Sequence, residues 1–186
     1  MKKQNKALTS DWYDQVYLDQ TEGKPDLSYM KKHLEKIADQ CVGGILDLGC
    51  GLGMLANMTD QYYIGVDYSE VAIKYAIAHN HNPRAVFAHV DLKEFIQNDL
   101  SMQTVVLSEI LEHIDFPIQL AEYAKRNFRR RLVGSVPINM PIKSHVTPAW
   151  DKKAILSLFG NNPVYIVECC GNAKRNNIHW HFTYER

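Results

Sequence analysis

Apolar and polar positions follow two different rhythms along this chain. From Leu8 to Gln20 and from Leu27 to Gln40, apolar and aromatic residues recur among charges at helical spacing, which predicts two N-terminal helices. Gly43-Gly44 breaks the rhythm, and the apolar run ILDL at 45–48 begins a strand that ends in the glycine-rich stretch CGLGMLA. Compact strand patterns follow at YYIGV (62–66), RAVFAHV (84–90), TVVL (104–107), RLVGSV (131–136), VYIVECC (164–170) and IHWHFTY (178–184). Helical patterns lie between them at about 53–58, 69–80, 92–98, 109–113 continuing through 117–130, and 149–159.

Strands one to five are separated by helices, which calls for parallel pairing through right-handed crossovers. The last two are joined by GNAKRNN, too short for a crossover helix, so they form an antiparallel hairpin at the sheet edge. The expected fold is α/β: a seven-stranded, mostly parallel sheet with an antiparallel C-terminal hairpin and helices on both faces. No repeat or linker divides the chain. One domain over 1–186 is expected, with a helical cap at 1–43 and a ligand-binding core at 44–186.

Charge narrows the partners. Of the 186 residues, 21 are Lys or Arg and 21 are Asp or Glu, so no overall charge recruits nucleic acid or an anionic membrane surface. The N-terminal stretch is too polar for a signal peptide, and no apolar run approaches the roughly 18 residues that span a bilayer, so a cytoplasmic protein without membrane partners is expected. Cys41, Cys50, Cys169 and Cys170 lack metal-type spacing and read as reduced.

The glycine stretch carries the first chemical signal. In ILDLGCGLG, Gly49, Gly51 and Gly53 alternate directly after the first strand, at the sheet edge where doubly wound folds bind ligands. GLGMLA also satisfies a loose dinucleotide pattern, while the missing G-K-[ST] excludes a Walker-type phosphate loop. Asp67, at the end of the second strand, is placed to accept both hydroxyls of a ribose, so a ligand bearing an adenosine is favoured. The second signal is SEILEHI at 108–114. On a helix, Glu109, Glu112 and His113 would share one face, a geometry suited to a metal, to proton transfer or to a polar helix start.

With these motifs in order, the chain resembles the class I S-adenosylmethionine-dependent methyltransferases: DLGCGLG, VDYS and HVDL are similar to their first three motifs, over residue 45 to the C-terminus. The resemblance implies their Rossmann-like sheet. It also implies that Asp47, Gly49, Gly51 and Gly53 surround the methionine half of S-adenosylmethionine, that Asp67 holds the ribose, that Tyr68 lies against adenine, and that Asp91 and Leu92 address the adenine edge. A capping role competes for Asp67 and Asp91. An NAD-dependent oxidoreductase and a non-catalytic cofactor-binding protein are the alternatives of other classes. Asp47 two residues before the loop and the lack of a substrate domain speak against the oxidoreductase.

SEILEHI falls at the end of the fourth strand, where many such enzymes carry a similar segment on the acceptor side. His113 would serve as a base. The pattern E-x-x-E-H is similar to the ubiquinone-pathway O-methyltransferases and the Hen1-type small-RNA 2′-O-methyltransferases. That likeness implies a divalent ion of the magnesium, manganese or zinc class on Glu109, Glu112, His113 and His145, competing with a metal-free pocket role. The flanks of His145 depart from the RNA subgroup, and the basic run RNFRRR (126–131) reads as a helix C-terminus complementing its dipole, so nucleic acid is not the expected partner. A small-molecule or sugar-like acceptor, methylated at oxygen, is expected. The proline-punctuated loop 137–148 would help choose it. Trp12, Tyr13 and Tyr17 would cover the pocket or fill the core. His33, His79, His81 and His89 read as surface residues, and His179 with His181 as half-exposed residues of an edge strand.

Overall fold

Ile45–Leu48 (β1) is buried at all four positions, as a strand covered on both faces requires. The protein's structure, a computed structural model, describes residues 8–21, 28–138, 144–146, 150–172 and 177–186. The other strands are β2 (Tyr63–Asp67), β3 (Ala85–His89), β4 (Met102–Ser108), β5 (Phe128–Pro137), β6 (Tyr165–Asn172) and β7 (Asn177–Glu185). They form one seven-stranded sheet in the order β3-β2-β1-β4-β5-β7-β6. The pairs among β1 to β5 are parallel and both pairs made by β7 are antiparallel, which is the expected mixed α/β sheet. β6 is the edge. β7 lies inside, between β5 and β6, so its side chains are covered where an edge position would leave them wet.

The two N-terminal helices form as their spacing predicts, α1 over Ser10–Thr21 and α2 over Ser28–Gln40. A 3-10 turn covers Met54–Met58, followed by α3 (Glu70–His79), α4 (Leu92–Phe95), α5 (Pro117–Asn127) and α6 (Lys152–Phe159). Side chains cap three of them: Ser69 accepts from the Ala72 N–H, Asp91 from Lys93 and Asp151 from Ala154. Three expectations change. The helix expected over 92–98 is a single turn, and residues 109–113 form no helix at all. α5 stops at Asn127 because Phe128 is already a buried strand residue paired with Met102, so Arg129, Arg130 and Arg131 belong to β5. Arg131 donates to the Gln40 carbonyl at 3.0 Å and meets Glu185 at 3.1 Å, which ties the strand down.

Two apolar layers enclose the sheet. One joins Leu46, Leu48, Val105 and Leu107 to Leu120 and Tyr123 of α5 and Ile155 of α6. The other packs Ile45, Val106 and Val133 beneath Leu34 and Ile37 of α2. No helix among the described residues is long and apolar enough to cross a membrane. Cys41 and Cys50 are free thiols; the side chains of Cys169 and Cys170 lie outside the described residues. So do 139–143 and 147–148 of the proline-punctuated loop.

Candidate functional site

Strand order reverses between β1 and β4, and the crevice beyond their carboxyl ends is where this topology binds ligands. The loop after β1 turns through the left-handed region at Gly49 (φ 82) and Gly51 (φ 52). A Cβ at Gly49 would come within 2.7 Å of the Ile110 side chain, and one at Gly51 within 2.9 Å of the Tyr17 hydroxyl. Glycine is therefore required on both counts. Gly53, expected beside the cofactor, faces α3 and β3, because a Cβ there would lie 2.7 Å from Ala76 and from Phe87.

Four of the loop's N–H groups are bonded within the protein. Gly49 and Cys50 donate to the Val66 carbonyl, Gly53 to Cys50, and Gly51 to Asp67 Oδ2 at 2.9 Å. A dinucleotide pyrophosphate is held by such donors, and these four do not serve one.

Two adjoining cavities of about 190 and 200 Å³ flank the loop and share Tyr17, Gly49, Glu109 and His113. Together they reach the lower end of the roughly 300–1,000 Å³ typical of ligand pockets. Tyr68, Asp91 and Leu92 line the first; Asp47 and Gly51 line the second. The first cavity carries Asp67, Asp91, Glu109 and Asp115 against one cation, Lys93, which is itself paired with Asp115 at 2.9 Å. Such a wall suits a positively charged ligand, as a sulfonium is.

Each acid has a distinct environment. Asp67 is buried, accepts N–H bonds from Gly51 and Ser69, and has its pKa raised by burial against those bonds. Its oxygens retain lone pairs for further donors. Asp47 accepts the Tyr63 hydroxyl at 2.5 Å, and burial pushes its carboxyl up to about 7. Asp91 is exposed and caps α4. Tyr68 donates to the Leu8 carbonyl at 3.0 Å, and its ring lies 5.4 Å from Tyr13. Tyr13 and Tyr17 of α1 thus close the pocket from above.

The SEILEHI segment departs from its expected helix. Glu109 adopts φ 54, the left-handed region that non-glycine residues seldom enter, and residues 111–113 form a turn. Glu109 is thereby grouped with His33 and His179. Its Oε2 lies 2.9 Å from His179 Nδ1 without the alignment of a hydrogen bond. Burial works to raise the Glu109 carboxyl, but contact with His179 and the nearby His33 outweighs it and holds the group down at about 2. Glu112 is 1% exposed with no hydrogen bond to either oxygen, Oε1 lying 3.7 Å from His113 Nε2, and burial, reinforced by the Glu109 charge, pushes its pKa well up. His113 Nδ1 is 3.1 Å from the Ser144 carbonyl, which can only accept, so Nε2 carries the free lone pair. Burial, with help from His145, lowers His113 to about 4. It is neutral at pH 7.

The four expected metal ligands therefore do not form one group. Glu112, His113 and His145 place ligand atoms within 4.8 Å of one another, the His145 loop being pinned by a bond from the Val146 N–H to the Glu112 carbonyl at 2.7 Å. Glu109 belongs to a second group with His33 and His179. The surface reading of His33 and the half-exposed reading of His179 and His181 are overturned: they are 5%, 8% and 2% exposed. His33 lies on the face of α2 turned to the sheet, packed against His179 and His181, and β7 is an inner strand. A sequence signal existed in the i, i+2 spacing of His179 and His181, which puts both on one strand face.

Comparison with known proteins agrees with this geometry. Residues 45–132 match the family described as methyltransferase domain. The sequence matches no curated protein. Among solved structures, the fold is similar to magnesium protoporphyrin IX methyltransferase from Synechocystis PCC 6803 with bound SAH, at TM-score 0.73 and 15% identity over 95% of this chain and 97% of that one. It is also similar to the N-methyltransferase NodS from Bradyrhizobium japonicum WM9 in complex with S-adenosyl-L-homocysteine, at TM-score 0.72 and 12% identity, covering 92% and 97%. A [4+2]-cyclase, SpnF, matches at TM-score 0.72 and 13% identity, covering 97% of each chain.

Proposed function

We propose that this chain is a class I S-adenosylmethionine-dependent methyltransferase that methylates a hydroxyl oxygen of a small-molecule acceptor, with His113 taking the proton. The observation that carries the reading is His113 itself. It lines both cavities, it is uncharged, and Ser144 fixes its tautomer so that Nε2 is the accepting nitrogen. The bound cofactor supplies an electrophilic methyl group on a sulfonium. Asp67, Tyr68, Asp91 and Leu92 would hold its adenosine, and Asp47, Gly49 and Gly51 would enclose its methionine end. Positioning the acceptor oxygen in line with the methyl carbon supplies most of the acceleration, and removal of the hydroxyl proton by a positioned base adds about 10²–10⁴-fold.

The test is the His113→Ala variant, assayed with methyl-labelled cofactor against a panel of hydroxylated and aminated small molecules. Turnover should fall by about 10²–10⁴-fold with cofactor affinity nearly unchanged. Labelled nitrogen products would remove the oxygen assignment, and unchanged turnover would remove His113. In the wild type, activity should hold from neutral pH down to about 5 and fall as His113 protonates near 4, well below the usual histidine range.

A second reading has its own observation. Both Glu112 oxygens are buried without a hydrogen bond beside His113 and His145, a donor set that fits a divalent ion and the acid chemistry it would lend to an acceptor hydroxyl. Turnover abolished by EDTA and restored by manganese favours this reading; turnover indifferent to EDTA favours the base alone.

A further inference from the structure

We propose that His33, Glu109 and His179 bind a transition-metal ion of the zinc class, at a site distinct from the Glu112–His113–His145 group. The three residues come from α2, the end of β4 and the inner strand β7, and each offers one ligand atom within 4.8 Å of the others. A tetrahedral ion about 2.1 Å from each ligand sets them about 3.4 Å apart, so the site closes by small rotations of side chains already in contact. His179 meets Glu109 at 2.9 Å, and the rings of His33 and His179 are 5.0 Å apart.

The cluster has the polar accounting of an ion site. His33 Nδ1, Glu109 Oε1, His179 Nδ1 and His181 Nε2 are all buried without a hydrogen-bond partner. Buried polar atoms are almost always satisfied, and four orphans in one cluster call for a ligand. His33 Nε2 lies 4.0 Å from Glu109 Oε1, and 3.2 Å from Ser108 Oγ and 3.1 Å from Ser135 Oγ, so the two serines hold the ring beside the carboxylate. His181 packs edge-on against His33 at 4.7 Å and brings a further nitrogen to the cluster's margin. Two imidazoles and one carboxylate select a zinc-, cobalt- or manganese-type ion over calcium or magnesium, which prefer oxygen shells. Three chain segments about 70 residues apart would be cross-linked, directly beneath a carboxylate that lines the cofactor pocket.

The experiment uses the full chain stripped with EDTA and titrated with zinc by calorimetry, with metal content checked by mass spectrometry and ligation by X-ray absorption and the visible spectrum of the cobalt form. The wild type should bind zinc through nitrogen and oxygen ligands without sulfur. His33→Gln and His179→Gln should weaken binding at least 10-fold at this site, and His145→Gln should leave that binding unchanged. A wild type that binds no zinc overturns the proposal whatever the variants do. Binding lost in His145→Gln, or kept in both His33→Gln and His179→Gln, overturns it as well. The readout is metal binding alone, so it stands or falls separately from the acceptor chemistry.

Discussion

Asp47 concentrates what burial does to a single residue here. Its carboxyl sits within β1, meets the Tyr63 hydroxyl at 2.5 Å and is pushed up to about 7, so it is largely protonated in the folded protein below that pH. An acid whose folded pKa is raised contributes stability below its unfolded value, near 4, and loses it as pH rises to about 7. Replacing it by asparagine removes that loss. The melting temperature of Asp47→Asn relative to wild type should therefore climb between pH 4 and 7 and level off above, a span worth on the order of 4 kcal/mol. A difference independent of pH would mean that Asp47 stays ionised. At this scale the places of Asp67 and Gly49 beside the pocket were legible in advance, because they follow from position at a strand end. Glu109 was not. Its left-handed backbone, φ 54, turns it away from the face it would share with Glu112 and His113 on a helix.

Among the elements, α1 is the one whose attachment matters most to the pocket and whose own packing is thinnest: it has no buried residue. It is held by polar ties. Asp14 Oδ1 accepts from the Ser69 hydroxyl at 2.5 Å and from the Val71 N–H at 3.2 Å, placing a negative charge at the positive end of α3. Asp14→Ala should speed hydrogen exchange across 10–21 and weaken cofactor binding by about 3–10-fold, the equivalent of about 1 kcal/mol, with the global melting temperature little changed. Unaltered exchange in that segment would show that the aromatic contacts of Tyr13 and Tyr17 suffice. The helical rhythm of α1 and α2 was readable from spacing. What it does not encode is which neighbour receives the helix, and so Tyr17 against Gly51 and His33 against β7 were beyond it.

At the scale of the whole molecule, the two cavities and the reversal point of the sheet make one ligand pocket, and its occupation should stabilise the entire domain. S-adenosylmethionine at about 100 times its dissociation constant adds about 2.7 kcal/mol, which for a chain of this size raises the melting temperature by about 5–10 °C. NAD should leave it unmoved, since four of the loop's N–H groups are bonded within the protein. A shift with NAD and none with S-adenosylmethionine would reverse the cofactor assignment. The [4+2]-cyclase among the similar folds is a reminder that the architecture alone does not choose the reaction.

Period-2 and period-3.6 patterning, the spacing of glycines after an apolar strand, and acids at strand ends are local properties, and they were enough to determine the α/β sheet, its C-terminal hairpin, the crevice beyond the first strand and the place of SEILEHI beside it. The order in which β7 inserts between β5 and β6 is a long-range choice, as are the kink at Glu109 and the docking of α2. Those choices alone decided that His33, His179 and His181 are buried, and that two carboxylates three residues apart serve two different groups of histidines. Hydrophobic periodicity says which face of an element is covered; only the assembled sheet says by what.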